Sequence, residues 1–89
     1  MFIPKRHTSD YFSLFKPEMR AIEALMREAK DHLQNEDPSI VGFNMGTNAG
    51  EAAGQTVDHA HTHLIPRRKG DVENPKGGVR GVIPSKQQY

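Results

Sequence analysis

Three of the five histidines of this chain alternate with other residues within one short stretch: His59, His61 and His63. On a strand, the side chains of alternate residues share one face of the sheet. The sequence therefore predicts a row of three imidazoles on one face of an extended segment. Ala60, Thr62 and Leu64 alternate with the histidines and are expected to face the other side, under a helix.

Such a row is compatible with three kinds of site. Ordinary solvated histidines are one, although three on one face would bring like charges together on protonation. A metal site is another, but the Cα atoms of His59 and His63 would lie roughly 13 Å apart on an extended strand. Since zinc–nitrogen bonds are about 2.1 Å long, one ion cannot easily reach both ends. A pair such as His61 and His63 would need further ligands from elsewhere.

Phosphoryl chemistry is the third kind and the one we favour. A neutral imidazole is a nucleophile near neutral pH, and its conjugate acid can donate to a phosphate oxygen or a leaving group. The glycine-rich stretch before the row, followed by Gln55 and Thr56, lets backbone N–H groups approach an anion. Arg67, Arg68 and Lys69 place positive charge at the other end. We expect no metal site.

One amphipathic helix is predicted over residues 17–34. Pro17 suits the first helical turn, and Glu18 suits the positive end of the helix dipole. Asn35 and the Asp37-Pro38 pair are expected to end the helix. Apolar residues recur at spacings of three and four and predict one buried stripe: Ile22, Leu25, Met26, Ala29 and Leu33.

Two strands are predicted, over residues 40–45 and 57–65, the second ended by Pro66. The Gly-, Ala- and Asn-rich residues 46–55 read as a loop. Residues 67–89 form a C-terminal extension with few apolar residues and little periodicity. The three histidines fall on the second strand.

The composition is that of one small domain with a modest core. Of 89 residues, 35% are apolar, and we expect the chain to pair with a second copy of itself. Twelve basic and eleven acidic residues give a formal charge of +1, which provides no overall field for nucleic acid or a membrane surface. Without cysteines there is no disulfide or thiolate metal site. With no apolar segment of membrane-spanning or signal-peptide character, we expect a cytoplasmic protein.

Two stretches of the sequence, Gly42 to Gly46 and Ala53 to Arg67, together resemble the histidine triad family. The likeness is greatest to the branch of diadenosine tetraphosphate hydrolases and fragile histidine triad proteins, and Ile3 to His7 is similar to that family's segment before the helix. The resemblance implies an α+β domain, with an antiparallel sheet, one long helix and often a symmetric dimer. The family's first strands usually precede the point where this chain begins, so we expect them to be missing here.

The resemblance also implies a mechanism. His61 would attack the α-phosphorus of a nucleotide, and water would hydrolyse the nucleotidyl–histidine intermediate. His63 would contact phosphate oxygens, and His59, helped by His7, would orient His61. The reaction needs no redox cofactor.

Three further residues receive roles from the resemblance. Gln55 and Thr56 would bind the phosphate chain or the leaving-group oxygen, and Asn44 would support the site. The implied function is hydrolysis of a dinucleoside polyphosphate or a nucleoside phosphoramidate. The alternative is a fragment of such an enzyme that binds nucleotide or a partner without turnover.

Overall fold

A computed structural model describes residues 1–88, and Tyr89, the last residue of the predicted extension, lies outside the described residues. The fold has one long helix, α1 (Lys16–Glu36), and two antiparallel strands, β1 (Ile40–Gly46) and β2 (His63–Arg68). The predicted α+β class is confirmed. Within the described part of the chain, no helix combines the length and the apolar character needed to cross a membrane.

Helix α1 begins at Lys16, directly after a backbone N–H that donates a hydrogen bond to a side-chain carboxylate. The carboxylate of Glu18 accepts a hydrogen bond from the backbone N–H of Phe15 at 2.7 Å, and Pro17 lies in the first turn. The helix continues past its predicted end to Glu36. It ends because Asp37 precedes a proline, which disfavours helical backbone at that position.

The two strands give the sheet two different faces. In the register of the pair, Asn44 lies opposite Ile65, and Gly46 lies opposite His63. On the other face Met45 lies opposite Leu64, and both residues line a small cavity together with Met26 of α1. One face of the sheet therefore packs toward the helix, and the face bearing His63 points away from it.

The predicted strand over residues 57–65 is wrong in its bounds, since β2 begins only at His63. The preceding residues pair with the N-terminal segment rather than with β1. Phe2 and Thr62 exchange two backbone hydrogen bonds of 2.8 and 2.9 Å, and the N–H of Ala60 donates to the carbonyl of Thr8 at 2.7 Å. Nor does Pro66 end β2, because strands in this two-stranded sheet have an edge where proline is tolerated.

The core is small and lies between α1, the N-terminal segment and the histidine stretch. Leu14, Ile22 and Ala60 form a buried cluster. Four partly buried residues pack against it: Phe2, Tyr11, Met19 and Met26. Ala60 is only 2% exposed, so one of the small residues that alternate with the histidines belongs to the core.

Residues 71–87 form what we call the C-terminal loop, which contains two short 3₁₀ helices, Gly78–Val82 and Pro84–Lys86. Its end folds back on its beginning. The side-chain amide of Gln87 donates to the carbonyls of Asn74 and Lys76 at 2.9 and 3.1 Å. The loop is thus a closed structure held by its own hydrogen bonds.

An ion pair joins the end of β2 to the end of α1. The guanidinium of Arg68 donates to the carboxylate of Asp37 at 2.6 Å, and the hydroxyl of Ser39 donates to the same carboxylate at 2.6 Å. The hydrogen bonds from Ser39 and Arg68 lower the pKa of Asp37 from 3.8 to about 2.

This lowered pKa makes part of the stability dependent on pH. Because the pKa of Asp37 in the folded chain lies below its unfolded value, its contribution is complete above pH 3.8 and lost as the pH falls toward 2. We expect Asp37→Asn to lower the melting temperature at neutral pH and the difference from wild type to shrink toward pH 2. Thermal unfolding followed by circular dichroism measures this, with the exposed Glu28→Gln as control. A difference that stays constant with pH would contradict the assignment.

A second prediction concerns the closure of the C-terminal loop. Gly77 has a φ of +91°, and a Cβ at this position would overlap the backbone carbonyl of Gln87. We expect Gly77→Ala to open the loop while leaving α1 folded. Trypsin should then cut faster at Lys76 or Arg80. Gly81→Ala is the control, because its Cβ would approach only the flexible side chain of Gln87. Equal cleavage rates in the two variants would argue against the closure.

Candidate active site

The histidine row keeps its alternation beyond the strand. Ala60 and Thr62 are buried, at 2% and 6% exposure, whereas His59, His61 and His63 are half-buried. Only His63 belongs to β2, and backbone bonds to Phe2 and Thr8 hold the rest extended. The predicted segregation of small residues inward and imidazoles outward is thus present without a continuous strand.

The ring of His61 is held by a backbone carbonyl. Its Nδ1 lies 2.8 Å from the carbonyl oxygen of His59. A carbonyl oxygen can only accept, so Nδ1 must carry the proton and donate it. In the neutral ring, Nε2 then bears the lone pair. This is the tautomer that a nucleophile acting through Nε2 requires.

His59 is turned away from His61 toward the N-terminal segment. Its Nε2 donates to the carbonyl of Pro4 at 3.2 Å, and its ring centroid lies 5.0 Å from that of His7. His7 is exposed, so it packs on the outer side of His59. Although the sequence reading gave the orientation of His61 to His59, it is the main-chain carbonyl of His59 that contacts the His61 ring.

The ring of His63 stands next to that of His61. The two centroids are 5.0 Å apart and the ring planes are perpendicular. His63 also lines a broad open depression of about 1550 Å³ on the face of the sheet turned away from α1. The row therefore runs from the N-terminal segment, at His59, to the edge of this depression, at His63.

Thr47 fixes the backbone of the row from the loop that follows β1. Its hydroxyl donates to the carbonyl of His61 at 2.6 Å. Neither Thr47 nor Pro4 was predicted, because a threonine after a glycine and a proline in a loop carry no pattern that marks such contacts. Thr47 contacts a main-chain carbonyl of the site, and Pro4 contacts the site through its own carbonyl. Side-chain motifs reveal neither contact.

Asn44 lies on β1 in the wall of the same depression. The Oδ1 atom of Asn44 accepts a 2.5 Å hydrogen bond from the guanidinium of Arg67, and both residues line the depression with His63. The structure thus places Asn44 on the same sheet face as the row. Its predicted support of the site is compatible with this position and stays a prediction.

The side chain of Gln55 stabilises its own loop through hydrogen bonds to the backbone. Its Oε1 accepts from the N–H of Gly50 at 2.8 Å, and its Nε2 donates to the carbonyls of Ser9 and Val57 at 2.6 and 3.0 Å. Thr56 is exposed on the same loop. The structure does not show either side chain directed at the histidine rings, so their phosphate contacts stay predictions.

The prediction that residues 67–69 supply free positive charge is wrong for Arg67 and Arg68. Arg67 forms a bidentate ion pair with Asp71, and Arg68 is paired with Asp37. The hydrogen bonds from the Arg67 side chain and the Arg68 backbone lower the pKa of Asp71 well below its usual range. Two of the three cations are therefore paired with carboxylates. Asp71 is close to Arg67 in the sequence, whereas Asp37 is distant from Arg68, so the charge pattern alone could not reveal the second pair.

In the part of the chain that the structure describes, no group of three or more His, Asp or Glu side chains is arranged to hold an ion. The imidazoles form two neighbouring pairs instead, His7 with His59 and His61 with His63.

Comparison with known proteins identifies the domain. The family model of the HIT (histidine triad) domain matches residues 1–70. A crystal structure of a HIT family protein from Bacillus anthracis superposes with a TM-score of 0.69 at 39% identity, covering 81% of this chain and 54% of that one.

Several curated relatives carry names that state an activity, and two of them are a phosphoramidase and a tetraphosphatase. An adenosine 5'-monophosphoramidase of Candida albicans is 32% identical over 76% of this chain and 47% of its own. A bis(5'-nucleosyl)-tetraphosphatase (asymmetrical) of Schizosaccharomyces pombe is 32% identical over 80% of this chain and 38% of its own. This chain spans about half the length of the curated relatives it matches, or less. Since the family model covers most of its residues, the chain belongs to the HIT domain family.

Proposed function

We propose that this protein is a nucleotide hydrolase that works through a nucleotidyl–His61 intermediate. The observation that carries the proposal is the 2.8 Å contact between Nδ1 of His61 and the carbonyl of His59. It leaves the lone pair on Nε2, with His63 at one side of the ring. Membership of the HIT family supports a nucleotide as substrate.

The reaction has two displacements at phosphorus. In the first, Nε2 of His61 forms an N–P bond to the α-phosphorus, and the P–O or P–N bond to the leaving group breaks. The leaving group departs with that electron pair and takes up a proton. In the second, water attacks the phosphorus and the N–P bond breaks, which releases a nucleoside monophosphate and frees His61.

The residues around His61 have separate roles in the proposed mechanism. His63, whose ring centroid lies 5.0 Å from that of His61, would donate a hydrogen bond to a phosphate oxygen as charge develops there. His59 positions His61 through its carbonyl, and His7 packs against His59. Gln55 and Thr56 would bind the phosphate chain or the leaving-group oxygen, and Asn44 would support the depression. No redox cofactor takes part in this mechanism.

The proposed substrates are a nucleoside phosphoramidate or a dinucleoside polyphosphate. The names of the two relatives, a monophosphoramidase and a bis(5'-nucleosyl)-tetraphosphatase, support these two classes. Within the family we propose the branch of diadenosine tetraphosphate hydrolases and fragile histidine triad proteins. A symmetric dimer in the cytoplasm completes the proposal, and the small core supports a partner chain.

The test of the nucleophile compares two histidines. We expect His61→Ala to lower turnover of adenosine phosphoramidate and diadenosine tetraphosphate roughly 10⁴-fold or more, because the covalent step loses its nucleophile. His32→Ala is the matched control, since His32 is exposed on α1, where it lies next to Glu36 and away from the histidine row. Release of the nucleoside monophosphate is followed by chromatography, and circular dichroism checks folding.

Two outcomes would count against the proposal. Equal turnover in wild type and His61→Ala would exclude His61 as nucleophile. Nucleotide binding without turnover in the wild-type chain would favour the alternative, a binding fragment.

A further prediction separates the two roles of His59. Its carbonyl, not its ring, contacts His61. We therefore expect His59→Ala to retain the Nδ1–H tautomer of His61 and to lose less activity than His61→Ala. NMR of the imidazole nitrogens reads the tautomer directly. If the proton moves to Nε2 in His59→Ala, the ring of His59 and not its carbonyl controls His61.

A further inference from the structure

The peptide group that follows His61 is held by hydrogen bonds at both of its ends. Its carbonyl, that of His61, accepts from the Thr47 hydroxyl at 2.6 Å. Its N–H, that of Thr62, donates to the carbonyl of Phe2 at 2.9 Å. The two partners come from different parts of the chain, since Thr47 follows β1 and Phe2 lies in the N-terminal segment. This peptide plane therefore cannot rotate without loss of at least one of the two bonds.

A second peptide group, between His59 and Ala60, is held in the same way and carries the contact to the ring. The N–H of Ala60 donates to the carbonyl of Thr8 at 2.7 Å, and the carbonyl of His59 accepts from Nδ1 of His61 at 2.8 Å. The imidazole of His61 is attached to the chain between these two held peptides. A rotation of the backbone at His61 would therefore move Nε2 and lengthen the bond from Nδ1.

Thr47 differs from the partners in the N-terminal segment because it acts through a side chain. Phe2 and Thr8 contribute backbone carbonyls, whose direction follows from the path of that segment. The contact from Thr47 depends on one hydroxyl, which must donate because the carbonyl of His61 can only accept. A substitution at this position can thus remove one support of His61 and leave the backbone partners in place.

The loop that follows β1 holds Thr47 next to the row. Gly46, directly before Thr47, lies opposite His63 in the register of the two strands. At the far end of the loop, the side chain of Gln55 donates to the carbonyl of Ser9 at 2.6 Å. Threonine is branched at Cβ, which restricts its χ1 angle, so a fixed backbone also limits the direction of the hydroxyl.

Thr47 also lies in the wall of the depression, and the C-terminal loop forms another part of that wall. A threonine in this place could bind the ligand directly instead of supporting His61. However, a hydroxyl has one proton, and the carbonyl of His61 already takes it. What remains on the Thr47 oxygen is acceptor capacity, which does not suit an anionic phosphate. The contact therefore favours a role toward His61.

We propose that Thr47 is a positioning residue for the nucleophile, whose hydroxyl holds the carbonyl of His61 and thereby keeps Nε2 of that ring directed at the phosphorus. The proposal rests on the proposed function, because it takes His61 to be the nucleophile. Misplacement of a reacting group by about 1 Å can cost roughly 10²-fold in rate. Since Thr47 acts on the nucleophile and not on the ligand, its loss lowers kcat and leaves KM nearly unchanged.

Steady-state kinetics of two variants of the whole chain test the proposal. Thr47→Val removes the hydroxyl and keeps the branched shape. We expect it to lower kcat for adenosine phosphoramidate about tenfold or more, with little change in KM. Thr47→Ser keeps the hydroxyl and should stay close to wild type. Ser85→Ala is the control, because it removes an exposed hydroxyl from the 3₁₀ helix Pro84–Lys86 in the C-terminal loop.

NMR of the imidazole nitrogens of His61 gives a second measurement, which needs no turnover. We expect the Nδ1–H tautomer alone in the wild type and in Thr47→Ser. A mixture of the two tautomers is expected in Thr47→Val, because a freed backbone loosens the contact to the carbonyl of His59. If circular dichroism shows that Thr47→Val does not fold, Thr47→Ala replaces it in both measurements, since it differs from Thr47→Ser in the hydroxyl alone.

Several results would overturn the proposal. Either an unchanged kcat or a single tautomer in Thr47→Val would show that the hydroxyl does not position His61. An equal loss of kcat in Thr47→Ser would assign the effect to a group other than the hydroxyl. A rise in KM at unchanged kcat would make Thr47 a substrate contact. A wild-type chain that hydrolyses nothing refutes the proposed hydrolase, whereas the tautomers of the variants still decide whether Thr47 positions the ring.

Discussion

The burial of Ala60 against Leu14 and Ile22 is the contact on which the geometry of the site depends. A strand-like backbone turns successive side chains to opposite sides, so an alanine held in the core forces its neighbours outward. Small size is essential here, since a larger side chain would separate the histidine stretch from the helix side of the core. Packing on one face thereby sets the position of the imidazoles on the other.

Main-chain carbonyls do most of the positioning within the site. Those of Pro4 and His59 each accept from an imidazole, and that of His61 accepts from the Thr47 hydroxyl. A carbonyl cannot donate, so each contact to a ring fixes which nitrogen carries the proton. This arrangement sets a tautomer through backbone acceptors, and it makes the site depend on the path of the backbone.

Charge near the site is balanced within the fold. Arg6, Arg67 and Arg68 are each paired with a carboxylate, from Glu18, Asp71 and Asp37 respectively. The Arg6–Glu18 pair joins the N-terminal segment to the first turn of α1, and the Arg68–Asp37 pair joins the end of β2 to the end of α1. Under the proposed function, a phosphate would then be held mainly by imidazole and backbone donors near the row. Exposed ion pairs contribute little stability individually, so their main effect here is on position.

The sequence alone determined the elements with strong periodicity. The apolar stripe on α1 and the alternation around Ala60 and Thr62 each follow from a repeat that matches one backbone geometry. The helix and the row of histidines on one face were therefore predictable from periodicity, whereas the α+β class was implied by the resemblance to the histidine triad family. The end of the helix shifted by two residues because the proline, and not Asn35, determines where helical backbone becomes unfavourable.

Only the tertiary structure decided which partners the site residues have. The strand containing the histidines began later than predicted because residues 60 and 62 pair with the N-terminal segment, a contact between parts distant in the sequence. For the same reason, no local pattern showed that Arg68 faces Asp37 or that the C-terminal loop walls the depression. Local periodicity fixes which side chains share a face, whereas hydrogen bonds and ion pairs between remote segments exist only once the chain has folded.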